Sequence, residues 1–196
     1  MSFSLGERRV TVSFLFTALL AFLLFCDERG AALSGLAAAA LHEAGHLAAM
    51  LCLGVPVKEI RFAPFGVELV RGDERQESYL GDALVSAAGP CVNLSLFLSC
   101  LAAGQEETPF ALANLLLGAM NLLPIESLDG GQLLYAALSR FAGPQRAGRA
   151  VALLSFLVLV PLAACAFLLL FRSKNNISLL LAVGYLGGLL LKRGRN

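Results

Sequence analysis

The stretch Ala37-Ala38-Ala39-Ala40-Leu41-His42-Glu43-Ala44-Gly45-His46-Leu47-Ala48-Ala49-Met50 sets three ionisable side chains inside an apolar block. The block runs from Ala31 to Gly54, and a bilayer crossing needs about 20 mainly apolar residues. Each ionisable residue at membrane depth costs roughly 2.5–3.5 kcal/mol on insertion scales, so three within one five-residue stretch, 42–46, need compensation. On a helix, positions i and i+4 share a face, so His42 and His46 can reach one ion. Glu43 lies beside the first imidazole, where it could take a proton from metal-bound water. The chain has no other histidine. The chance of this pair and its glutamate arising at random is on the order of 1 in 2000, a useful weight against motif false positives. The competing reading of the same residues is a metal or proton transporter with a histidine–carboxylate relay.

Working outward, the rest of the chain has the same character. It has 196 residues, 58% apolar and 15% charged, with net charge +1, where a soluble domain is about 45–50% apolar and about 25% charged. An ordinary soluble domain, a disordered chain and a disulfide-rich secreted module are excluded. The near-zero charge gives no case for nucleic acid as a partner. Cys26, Cys52, Cys91, Cys100 and Cys165 sit in or beside apolar blocks without a C-x-x-C pair, and read as small buried apolar side chains.

The hydropathy pattern predicts an all-α membrane protein, residues 1–196 forming a single polytopic domain with six transmembrane helices. The spans are Val10 to Cys26, Ala31 to Gly54, Leu80 to Ala103, a broken fourth, Ala150 to Phe171 and Ile177 to Leu191. The first follows Arg8 and Arg9 like a signal peptide, but no small-x-small cleavage site precedes Asp27, so it is expected to be retained. The fourth is apolar from Pro109 to Leu123, is interrupted by Pro-Ile-Glu-Ser-Leu-Asp-Gly-Gly, and resumes over Gln132 to Leu138. Between the second and third spans, Val57 to Val70 reads as a short membrane-associated β-hairpin broken at Pro64-Phe65-Gly66. One side of the membrane collects Arg8, Arg9, Lys58, Arg61, Arg71, Arg75, Arg140, Arg146, Arg149, Lys192, Arg193 and Arg195, and the other only Arg29, Arg172 and Lys174. The excess of basic residues puts both termini in the cytoplasm of a multi-pass cell-membrane protein.

Catalytic zinc sites usually have three protein ligands and an open position. With no third histidine, the third ligand should be a carboxylate: Asp82, Glu126 or Asp129. Asp82 reads as interfacial. Asp129 is the strongest candidate because Gly130 and Gly131 let the backbone leave the helix and approach a site closely. Unwound backbone at membrane depth is tolerated only where it is buried in protein or lines a wet cavity. Asn93 and Asn121 are amides in apolar surroundings, and each reads either as an interhelical hydrogen bond or as a group that binds substrate or stabilises an oxyanion. Asn121, beside the break, is the better substrate-binding candidate, and Asn114 reads as packing.

His-Glu-Ala-Gly-His in an early helix, Ala-Gly-Pro-x-x-Asn in the next, and Asn-x-x-Pro-x-x-x-Leu-Asp-Gly-Gly in a broken later one resemble the site-2 protease family of intramembrane zinc metalloproteases. The resemblance covers roughly residues 30–140, leaving helices five and six (150–191) as accessory. The short form without a PDZ insertion, and the stretch from Gly54 through Gly66, are most similar to the stage IV sporulation protein FB branch. That branch often has proline two residues before the metal aspartate, where this chain has Ser127. The resemblance implies one zinc held by His42, His46 and Asp129, Glu43 as general base, and Asn121 helping to hold the substrate or the tetrahedral intermediate. It implies a zinc metalloendopeptidase acting in regulated intramembrane proteolysis. Its substrate would be a membrane-associated transcription-factor precursor, a pro-sigma factor in the sporulation branch, and an inhibitory membrane protein is the further partner.

Overall fold

The computed structural model describes residues 2–5, 8–27, 30–63, 66–71 and 78–172, with isolated positions 184, 187 and 188. By its contacts the chain forms two compact units, Met1–Ala119 and Met120–Asn196. The expected sixth crossing, 177–191, lies outside the described residues apart from those isolated positions.

The first unit carries β1 (Ser2–Leu5), β2 (Arg8–Val12), α1 (Phe14–Phe25), α2 (Ala31–Cys52), β3 (Val57–Ala63), β4 (Gly66–Arg71), α3 (Tyr79–Ala102) and most of α4 (Pro109–Asn121). The strands form one sheet in the order β1-β2-β3-β4. The expectation was an all-α fold with one β-hairpin between the second and third helices; the two further strands, β1 and β2, depart from it for a physical reason. Val10, Thr11 and Val12 are β-branched, suited equally to a strand and to an apolar span. They find a partner in β3, pairing in parallel as Val10 with Ile60, Thr11 with Arg61 and Val12 with Phe62. A parallel pair needs a crossover, and α1 with α2 supplies it. The Ser13 N–H donates to the Phe62 carbonyl (3.0 Å) and the Phe16 and Phe62 rings lie 5.5 Å apart, tying the start of α1 to β3. The helix expected from Val10 therefore starts at Phe14 and has 12 residues.

β3 and β4 pair antiparallel, with a register shift between Val57 and Glu59. The extra residue, Lys58, explains why the run V-K-E-I-R-F alternates only loosely: a bulge reverses the face on which successive side chains fall. Val57 and Ile60, of opposite parity, consequently pack into one cluster with Met50 and Val85. α2 reaches that cluster through its C-terminus. Gly54 has φ +66°, its N–H donates to Leu51 O, and the Val55 N–H donates to Met50 O (2.8 Å). This closes the helix with a Schellman turn whose flanking pair, Met50 and Val55, is apolar.

By length and composition, two helical segments among the described residues can cross a membrane, Tyr79–Ala102 and Pro144–Leu168. α1 and α4 are apolar but shorter. α2 has 22 residues, and its His-Glu-His trio lowers its hydropathy.

The second unit carries α5 (Asp129–Ala142) and α6 (Pro144–Arg172). The expected break in the fourth segment spans the residues between Asn121 and Asp129. Pro124 has no N–H to continue a helix, and the chain folds back through bonds from Ile125 N–H to Leu123 O (2.7 Å) and Leu128 N–H to Ile125 O (2.8 Å). Ser155, fully buried on α6, holds this turn: its Oγ accepts from the Glu126 N–H (2.8 Å) and donates to the Val151 carbonyl (2.7 Å). Ile125 is buried with Leu159 and Ala166 of α6. The turn lies directly on the first turn of α5. A methyl on Gly130 would overlap the Leu122 carbonyl, and one on Gly131 the Ile125 carbonyl.

Backbone at that distance cannot yield as a side-chain tip does. Gly131→Ala should destabilise the protein by at least about 1–3 kcal/mol, whereas Gly148→Ala on α6, with Tyr135 Cε2 no closer than 3.9 Å, should be neutral or stabilising by up to about 1 kcal/mol. Thermal unfolding in detergent measures both. The sheet makes a second prediction. Arg61 beside Glu59 (2.9 Å), with a hydrogen bond from Thr11 (2.7 Å), holds the Glu59 carboxyl below the usual carboxylate range. A depressed folded-state pKa contributes stability above the ordinary value of about 4.3 and loses it as pH falls through the folded value. Amide protection factors across β2 and β3 should therefore drop on acidification below that value, and much less so in Glu59→Gln.

Candidate metal centre

His42 and His46 stand on one face of α2 and are 5% and 8% exposed. Their Nε2 atoms lie 3.1 Å apart, with the rings edge to face at 81°. The other nitrogen of each ring is engaged by α3. The Val85 carbonyl lies 2.7 Å from His46 Nδ1. A carbonyl only accepts, so His46 carries its proton on Nδ1. Asn93 Oδ1 lies 2.5 Å from His42 Nδ1. Both rings thus turn their Nε2 lone pairs toward the same point. Two lone pairs facing each other repel, and a cation between them reverses the sign of the interaction. Tetrahedral zinc with Zn–N of about 2.0–2.1 Å places two nitrogens about 3.3 Å apart, close to the spacing seen.

α3 approaches α2 this closely because both helices are bare at the crossing. A Cβ on Gly45 would meet the Ala88 carbonyl and Val92 Cγ2, each at 2.9 Å. A Cβ on Gly89 would overlap His46 Nε2 and lie 2.8 Å from His42 Cε1 and Nε2. Val85, Gly89 and Asn93 recur every four residues, forming one face of α3 that serves both imidazoles. Pro90 adds a local cause. It brings no N–H to the Ser86 carbonyl and crowds that turn, and the neighbouring Val85 carbonyl accepts a bond from outside its helix.

Glu43 is half-buried beside His42 on α2, and Asp129 is half-buried in the first turn of α5. Asp129 is the carboxylate that would join the two imidazoles as third ligand. Two imidazole nitrogens and one carboxylate oxygen fit a zinc site. Asp82 is half-buried in the first turn of α3, and Glu126 lies in the turn held by Ser155. Asn121 ends α4 and is half-buried. Asn93, read as either an interhelical hydrogen bond or a substrate group, is fully buried, and its amide hydrogens go to Ala38 O (3.0 Å) and Asn114 Oδ1 (2.8 Å). Its oxygen faces His42. Asn114 does more than pack, since it backs Asn93. The i, i+4, i+8 spacing of Val85, Gly89 and Asn93 was the available signal for this support, and a glycine and a backbone carbonyl carry no chemistry visible in a sequence.

The chain is similar to the site-2 protease from Methanocaldococcus jannaschii, with a TM-score of 0.66, 21% identity, and coverage of 95% of this chain and 92% of that one. The model of peptidase family M50 matches residues 108–162. Zinc metalloprotease MJ0392 of the same archaeon is 31% identical over 113 residues, covering 53% of this chain and 32% of the relative. Rip3 of Mycobacterium tuberculosis, a protein assigned as a zinc metalloprotease, is 34% identical over 159 residues, covering 70% of this chain and 39% of the relative. The chain thus spans about a third of the length of the curated relatives it matches. Part of the sequence is thus similar to peptidase family M50 and to curated zinc metalloproteases, and the fold is similar to that of the solved site-2 protease.

Gly89 is testable without any substrate. Gly89→Ala places a methyl against both imidazole edges and should weaken zinc binding at least tenfold, the lower end for disturbed support around a metal ligand. Gly81→Ala, on the same helix with nothing within 4 Å of the added carbon, should bind zinc like wild type. Competition with a chromophoric chelator reads both.

Proposed function

We propose that this chain is an intramembrane zinc metalloendopeptidase that cleaves a membrane-associated precursor, with Glu43 as its catalytic base. The observation that carries the reading is the buried imidazole pair presenting both Nε2 lone pairs to one point. His42, His46 and Asp129 would hold the ion. Zinc, when bound, supplies Lewis acidity and a water acidic enough to ionise near pH 7. Glu43 accepts the proton of the attacking water and passes it to the leaving amine. Asn121 holds the substrate backbone beside the break. The hairpin of β3 and β4 lies at the membrane surface, and its edge pairs with the segment of substrate that must unwind before cleavage. The arrangement is that of a multi-pass membrane protein with six crossings and both termini cytoplasmic, as the distribution of Lys and Arg supports.

The substrate class that fits is a transcription-factor precursor tethered to the membrane, and the sporulation protein FB resemblance narrows it to a pro-sigma factor with an inhibitory membrane protein as regulator. The transporter reading uses the same residues but has less support. Paired broken helices in related halves mark many transporters, only the fourth segment here is clearly interrupted, and the relatives are metalloproteases.

Glu43→Gln separates binding from chemistry. The variant should keep its zinc and lose cleavage of a co-expressed membrane precursor by on the order of 10²–10⁴-fold. Undiminished cleavage by Glu43→Gln would remove the base from its role, and ion flux into liposomes without any proteolysis would replace the peptidase by a transporter.

A further inference from the structure

We propose that Asn93, backed by Asn114, is a positioning residue that fixes the tautomer of His42 and so presents its Nε2 lone pair to the metal. This rests on the reading of His42 as a zinc ligand. The assignment runs one way along a chain of hydrogen bonds that ends on a backbone carbonyl. Asn114 Nδ2 donates to the Phe110 carbonyl, one turn back on α4 (2.9 Å). A carbonyl cannot donate, so the Asn114 amide is oriented with Oδ1 toward Asn93. Asn93 Nδ2 gives one hydrogen to that oxygen (2.8 Å) and the other to the Ala38 carbonyl, one turn before His42 on α2 (3.0 Å). Both amide hydrogens are thereby used, and Asn93 Oδ1 is left as an acceptor at His42 Nδ1 (2.5 Å). His42 must carry its proton on Nδ1, leaving Nε2 as the ligand atom.

A lone asparagine could flip and offer N–H to the ring, which would move the proton to Nε2 and block the ion. The second amide and the Ala38 carbonyl prevent the flip. Asn93 and Asn114 are both fully buried, so water cannot substitute for either partner. His46 needs no such device, because the Val85 carbonyl fixes its tautomer outright. α3 therefore orients the two ligands by different means, one with a backbone acceptor and one with an amide that α2 and α4 hold in place.

The test is zinc affinity of the purified full chain in detergent, by chelator competition, beside the thermal stability of the metal-free protein. Asn93→Ala should weaken zinc tenfold to a hundredfold. Asn93→Asp keeps an acceptor at His42 Nδ1 while losing both donated bonds, so it should lower thermal stability yet hold zinc within a few-fold of wild type. A residue that only packs would lose affinity in step with stability. Asn114→Ala should cost less than Asn93→Ala, and the double variant no more than Asn93→Ala alone, because Asn114 acts through Asn93. Ring-carbon chemical shifts of His42 in the metal-free protein should report the Nδ1–H tautomer in wild type and a mixture in Asn93→Ala. Wild-type zinc affinity in Asn93→Ala, or losses in the two alanine variants that multiply, overturns the proposal. Wild-type affinity in His42→Ala overturns instead the ligand reading beneath it.

Discussion

Two imidazoles held 3.1 Å apart, nitrogen to nitrogen, is an arrangement that the surrounding protein has to enforce. Neither ring gains from the other, since both lone pairs point into the same space. The enforcement comes from α3, which engages the far nitrogen of each ring through Val85 and Asn93. The pair is thus strained toward a cation before one arrives, and the orientation needed for binding is set while the protein folds rather than when metal binds.

That enforcement depends on two missing side chains. Gly45 lets the backbone of α3 reach α2, and Gly89 lets the imidazoles occupy the crossing itself. Helices in lipid gain nothing from burying leucine against leucine, so they associate where small residues permit close contact and polar groups find partners. Here the closeness that supports packing also brings a carbonyl and an amide within hydrogen-bond reach of the ligands. Packing and metal geometry are therefore one constraint. A side chain at position 89 would disturb the helix contact and the ion together.

How much of this was legible follows from what each residue announces. His42, Glu43 and His46 were conspicuous because charge is expensive in an apolar block, and Pro124 with Gly130 and Gly131 announced the break because no continuous helix accommodates them. Val10 to Val12 gave no such signal. β-branched residues next to an apolar run read equally as helix or strand until a partner is known, and their partner lies some fifty residues on, at Ile60 to Phe62. The bulge at Lys58 hid in the same way, as an alternation that fails midway for a reason seen only against β4. Asn93 was noticed with two readings open, because an amide in an apolar helix advertises a need for partners without saying which.

The broken segment poses the same physical problem as the histidine pair and answers it by different means. Leaving a helix strands backbone groups, and in apolar surroundings each must be satisfied locally. Ser155 accepts the Glu126 N–H, the Leu123 and Ile125 carbonyls accept bonds within the turn, and the bare faces of Gly130 and Gly131 let the turn lie against the start of α5. The cost of interrupting the helix is thereby confined to a few residues, and the chain gains a carboxylate in the first turn of a helix, where the helix dipole favours negative charge. A carboxylate oxygen is a ligand that zinc accepts. The glycines, the proline and the buried serine are therefore better understood as the support for Asp129 than as features of the turn for its own sake.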